Sequence, residues 1–126
     1  MSVDLDDVPD RLRPAVAATL ETVGVGEGHL AVEIVDPGRI QALNREWRDR
    51  DRPTDVLAFS LDGPGATAGP RELGDVVICL EHAHDAEEVA VHGVLHLCGY
   101  DHETDDGEML AVQDRIMGRL REEASR

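Results

Sequence analysis

His92-Gly93-Val94-Leu95-His96-Leu97-Cys98-Gly99-Tyr100-Asp101-His102 carries the densest chemical signal in the chain. A four-residue step puts the imidazoles of His92 and His96 on one helical face, one turn apart. Gly99 is the residue type that ends a helix in a left-handed cap, so the chain is expected to turn there and bring His102 back toward the other two. Three neutral ring nitrogens converging on a divalent ion, with a fourth position open to water, form the pattern of a catalytic zinc centre. A structural one is closed by four protein ligands. Ordinary core or surface histidines beside Val94 and Leu97 are the plainer alternative. Three of only 6 histidines at this spacing, with glycine where the turn needs it, favour one bound ion.

With three imidazoles and no carboxylate as ligands, a bound Zn²⁺ keeps its full charge, brings the pKa of its water to about 7 and polarises a phosphoryl or carbonyl oxygen. The His-x3-His-x5-His spacing, with glycine at the eighth place, equals that of the metzincin proteases. Those proteases carry a glutamate general base directly after the first histidine. Here that place holds Gly93, which accepts no proton, so a peptidase would need its base elsewhere.

The 126 residues suit one domain, residues 1–126, with a modest core, since 41% of them are hydrophobic. The opening Met1-Ser2-Val3-Asp4-Leu5-Asp6-Asp7 is acidic where a secretory signal is basic and then apolar, and no apolar run approaches a membrane span. A soluble, cytoplasmic protein with no membrane partner is expected. Cys79 and Cys98 are then read as two reduced, buried small hydrophobes rather than a disulfide. The net charge of −15 argues against a polyanionic partner, because nucleic-acid binders usually show a basic footprint. Distribution qualifies that sum. All 12 basic residues are arginines, and Arg45, Arg48, Arg50 and Arg52 crowd together. The missing lysines fit either an arginine-biased genome or adaptation to high salt.

Toward the N-terminus, Asp7 and Pro9 suit the start of a first helix with the stripe Val8, Leu12, Val16 and Leu20; Pro14 is tolerated early in it or marks a later start. Gly24, Gly26 and Gly28 end it, and the alternation of Leu30, Val32 and Ile34 predicts a strand over residues 30–35. Asp36-Pro37 starts a second helix with Ile40, Leu43 and Trp47 on its inner side. The run Arg48-Asp49-Arg50-Asp51-Arg52-Pro53 reads as a loop in which Arg50 and Arg52 are solvated connector residues. Strands are expected over residues 54–60 and, buried on both faces, 74–80, pairing with each other across a Gly/Pro/Ala-rich loop. Asp85 and Glu88 form a capping box for the helix of His92 and His96. Thr104 or Asp105 caps a last helix with Met109, Val112, Ile116 and Leu120 inward. His82 and His84, two apart, share no helical face and read as loop or early-helix residues. The sum is an α/β (α+β) fold: a small mixed sheet of three to four strands packed with helices, carrying a metzincin-like zinc-binding helix.

Taken together with Leu43-Asn44, Arg48, Pro53-Thr54-Asp55-Val56-Leu57-Ala58-Phe59 and Gly74-Asp75, the stretch from His92 to His102 closely resembles the YbeY family of bacterial rRNA maturation factors, over roughly residues 30–120. The resemblance implies a single-strand-specific endoribonuclease acting at the 3′ end of small-subunit rRNA and in ribosome quality control. It implies one zinc ion on His92, His96 and His102, with Arg48 as the functional arginine beside it. A guanidinium fork suits that role, because two parallel charge-assisted hydrogen bonds neutralise the non-bridging oxygens of a phosphodiester. Asp55 and Asp101 are candidates to orient a ligand imidazole or the water, with turn and strand-end hydrogen bonding as their plainer use.

Three features depart from the family pattern. Its N-terminal strand is absent or reduced to residues 2–5, which would leave three strands; the segment between Cys79 and His92 is short, which implies a more open site wall; and the chain is strongly acidic. The implied partners are single-stranded RNA, rRNA above all, with ribosomal proteins or ribosome-associated factors supplying positive charge. Two rival readings stand beside this one: a metzincin-like zinc peptidase, and a non-catalytic ribosome-assembly factor with a structural or vestigial metal site.

Overall fold

A computed structural model describes residues 2–61, 72–101 and 105–124. In chain order their elements are β1 (Ser2–Asp4), α1 (Arg13–Val23), β2 (Glu27–Ile34), α2 (Pro37–Arg48), β3 (Val56–Ser60), β4 (Glu72–Ile78), α3 (Ala86–Leu97) and α4 (Glu108–Ala124), with 3-10 turns at Asp10–Leu12 and Leu80–His82. The sheet order is β1-β2-β4-β3. β1, β2 and β4 run parallel, and β3 lies antiparallel to β4 at the edge. The mixed sheet is thus four-stranded among the described residues, and the two apolar runs pair with each other as their sequence predicts.

Period-two alternation divides the sheet between two cores. Val76 and Ile78 of β4, with Leu30 and Val32 of β2, pack with Val16 and Leu20 of α1 and Val94 and Leu97 of α3. Val77 and the following Cys79 join Leu57 of β3 and Ile40 of α2 in a smaller cluster. A strand covered on both faces needs apolar residues at successive positions, which is why β4 reads as a near-continuous apolar run. Behind α3, Met109, Ile116 and Leu120 of α4 meet Ala15 and Ala18 of α1 and Val91 and Leu95 of α3. Each fully buried aliphatic side chain contributes about 1.5–3 kcal/mol, and α3, packed against the sheet on one side and α1 and α4 on the other, buries several of them.

Several expectations change. Of the two alternatives for the N-terminal strand, the reduced one holds: Ser2, Val3 and Asp4 pair with Glu27, Gly28 and His29, so the sheet has a fourth strand. The first α-helix starts at Arg13, with Pro14 in its first turn, where a missing N–H costs nothing. Asp7 is not its cap, because its carbonyl accepts from the Val32 N–H at 3.0 Å and its carboxylate lies 2.8 Å from His29. Asp36 does cap α2, accepting from the Arg39 N–H at 2.8 Å. Ile40 of that helix is buried, but Trp47 is 63% exposed. Among the described residues β3 is the edge strand, and none of their strands beyond Phe59 offers Trp47 a surface to bury against. Ile34, at the end of β2, is likewise exposed rather than part of the buried face.

Asp85 caps α3 by accepting from the Glu87 and Glu88 N–H groups at 3.0 and 3.2 Å. Asp105 accepts from Gly107 and Met109 N–H groups at the start of α4; Thr104, its rival as cap, lies outside the described residues, as does nearly all of the Gly/Pro/Ala-rich loop. Cys79 and Cys98 are not joined in a disulfide. Among the described residues no helix is long and apolar enough to cross a membrane.

Candidate metal centre and its cleft

α3 ends in a Schellman motif. The Gly99 N–H donates to His96 O at 3.0 Å and the Tyr100 N–H to Leu95 O at 3.1 Å, with Gly99 at φ +98. That left-handed residue turns the chain out of the helix directly after His96, as the sequence predicts. Upstream, Gly93 has a packing role that the sequence does not reveal. A Cβ there would sit 2.6 Å from Val76 Cγ1 and 3.2 Å from Val56 Cγ2, so glycine lets α3 lie close on β3 and β4. Helix and edge strand are thereby brought together with His92 and His96 between them, ring centroids 4.9 Å apart.

Gln113 of α4 contacts the first histidine. Its amide nitrogen donates to Glu88 Oε1 at 3.2 Å, and its Oε1 lies 2.8 Å from His92 Nδ1. The carboxylate accepts, which orients the amide with its oxygen toward the ring; in a neutral imidazole this contact favours the tautomer with its hydrogen on Nδ1. Orienting partners of this kind typify metal-ligating histidines. Gln113 itself is nearly buried. Sequence reasoning missed it, because nothing local marks a glutamine 21 residues from its partner.

An open cleft of about 700 Å³ is lined by His92, Gly93, His96 and the Gly99–Asp101 exit, by residues 54–58 with Ser60, and by the end of α2 and the loop after it. Here Arg48 donates to the Ala58 carbonyl, its guanidinium 5.6 Å from the Phe59 ring centroid. Arg50 and Arg52, exposed as the sequence predicts of connector residues, also line the same cleft. The cause is Asn44, 4% exposed: its carbonyl accepts from the Arg50 N–H at 3.2 Å and its side-chain amide donates to Arg52 O at 3.0 Å, folding the loop back over the helix end. Asp49, at φ +58, makes the turn.

The structure therefore brings together His92, His96, Arg48, Asp55 and Asp101. His102 lies outside the described residues. Among the described residues no group of three or more His, Cys, Asp or Glu side chains is placed to hold an ion, which also leaves the exposed His82 and His84 without a metal-binding cluster. The donors that are described fit a divalent metal: two imidazoles one helical turn apart, the first held through its Nδ1 by Gln113.

Known proteins match this chain over most of its length. The family model described as Endoribonuclease YbeY matches residues 2–121. The chain is 37% identical to the endoribonuclease YbeY of Persephonella marina, covering 91% of this chain and 85% of that one. It is 38% identical to that of Azorhizobium caulinodans, covering 90% and 84%. The solution structure of TM1509 from Thermotoga maritima superposes with a TM-score of 0.54 at 29% identity, covering 97% of this chain and 92% of the other. With a cleft of this composition and a match over nearly its whole length, the chain belongs to the Endoribonuclease YbeY family, hydrolases of RNA phosphodiester bonds.

Proposed function

We propose that this chain is a zinc-dependent endoribonuclease that cleaves single-stranded RNA, ribosomal RNA above all, in one domain spanning residues 1–126. The observation that carries the reading is the shared cleft: two histidines one helical turn apart line it together with Arg48, the first held through its Nδ1 by Gln113. His92, His96 and, by sequence spacing and family resemblance, His102 would hold the ion, and neutral imidazoles suit Zn²⁺. When bound, the ion supplies Lewis acidity and an acidified water.

The chain's own residues bind and orient the substrate. Arg48 takes a non-bridging phosphate oxygen; its contacts with the Ala58 carbonyl and Phe59 hold it in place, so little rotamer freedom is lost on binding. Arg50 and Arg52 concentrate positive potential in one cleft of an acidic chain, drawing a polyanion there. Asp55 and Asp101 border the same space and orient the water or an imidazole. A cytoplasmic location and ribosome-associated partners follow from this reading.

Two observations disfavour a peptidase. Gly93 is pressed against Val76 and Val56, leaving no room for a glutamate base, and Arg48 occupies a carbonyl of edge strand β3 that an added peptide strand would need.

Replacing His96 with Ala should remove the metal, read by elemental analysis; full occupancy overturns the ligand assignment. Arg48→Ala should retain the metal and lose cleavage of single-stranded RNA; unchanged cleavage overturns the clamp. Wild-type protein with no metal-dependent turnover above these variants would leave the assembly-factor reading in its place.

A further inference from the structure

One exposed aromatic group next to Arg48 is not used by phosphate binding. Trp47, the chain's only tryptophan, is 63% exposed. Its ring meets Phe59 edge to face, centroids 6.3 Å apart and planes at 70°. Phe59 also carries the Arg48 guanidinium, 5.6 Å from its centroid, and Ala58 and Ser60 on either side of Phe59 line the cleft. Of Trp47, Phe59 and Arg48, only Arg48 lines the cleft; the phenyl and indole stand next to it, reached from the guanidinium through the ring of Phe59. Phe59 is half-buried and engaged by both neighbours, so the open aromatic face is that of Trp47.

Resting on the nuclease reading, we infer that Trp47 is a base-stacking platform. A nucleobase beside the scissile phosphate stacks on the indole while Arg48 holds the phosphate. Charge complementarity favours RNA over a protein as the occupant. Arg48, Arg50 and Arg52 gather in this cleft although the chain carries a net charge of −15, and a strand of alternating phosphates and aromatic bases satisfies both the arginines and the indole. The platform also selects single strands, because bases in a duplex are stacked on each other and present no face to a side chain. Stacking on an aromatic face is tolerant of base identity, so broad sequence preference is expected.

As the only tryptophan, Trp47 reports on itself. Metal-depleted wild-type protein, which cannot turn over RNA, is titrated with a single-stranded oligoribonucleotide and with an abasic strand of equal length. The base-bearing strand should quench the indole fluorescence, and the abasic strand should not. Trp47→Leu should weaken binding of the labelled base-bearing strand, followed by anisotropy, on the order of ten- to a hundredfold, leave the abasic strand unaffected, and be largely rescued by Trp47→Phe. Equal quenching by both strands, or wild-type affinity in Trp47→Leu, overturns the platform and assigns the exposed indole to a protein partner. The nuclease reading fails separately, through absent metal-dependent cleavage by the wild type.

Discussion

Nδ1 of His92 lies 2.8 Å from Oε1 of Gln113, and the same glutamine reaches Glu88 on the far side, so a residue of α4 fixes the imidazole of α3. Cutting this link leaves the ring free to rotate and to exchange tautomers. Gln113→Leu, which keeps an apolar, similarly sized side chain in a nearly buried position, should lower metal affinity about 10–100-fold with the fold retained. Competition against a chelator measures it, and unchanged affinity contradicts the orienting role.

Gly93 and Gly118 make a paired prediction about glycine. Gly93→Ala places a methyl group 2.6 Å from Val76 Cγ1 and should cost about 1–3 kcal/mol by overpacking. Gly118→Ala meets nothing within 4 Å inside α4 and should stabilise by about 0.5–1 kcal/mol. Urea unfolding reads both, and equal effects at the two sites would show that α3 does not approach the sheet as described.

His29 joins the β2–β4 pair to the N-terminal segment. Hydrogen bonds to Glu72, at 3.0 Å, and to Asp7, at 2.8 Å, push its pKa up to about 9 from 6.5. The folded chain holds this proton more tightly than the unfolded one, so the stabilisation is complete below pH 6.5 and is lost as pH rises through about 9. Urea midpoints measured over that interval should fall more steeply in the wild type than in His29→Asn. Parallel slopes would remove His29 as the cause, and added salt should shrink the difference.

Asn44→Ala leaves the Arg52 carbonyl without its amide donor and should cost about 1 kcal/mol. Its functional signature is larger than its thermodynamic one. With the loop released, Arg50 and Arg52 no longer keep their place in the cleft, so KM for RNA should rise while metal content is unchanged. A variant with wild-type KM would show that the loop's position is set elsewhere.

Local chemistry made much of this molecule legible from its sequence. Asp36 and Asp85 cap their helices, Gly99 ends α3 at a left-handed residue, and β4 reads as a strand buried on both faces, because each depends on residues a few positions away. The spacing of His92 and His96 likewise needs only the helical period. What the sequence missed depends on partners brought together by folding. By position Asp7 reads as a cap, but it serves His29 and Val32; by apolarity Trp47 reads as inward, but it is exposed; Gly93 lacks a base, as its type dictates, and also makes room for Val76. Helical period and neighbouring residues suffice to mark α2, β4, α3 and α4 and to set where the imidazoles stand along α3. That Gln113 meets His92 and that Asn44 holds the loop of Arg50 and Arg52 beside the cleft emerges only on folding, because long-range hydrogen bonds leave no periodicity or local composition behind them.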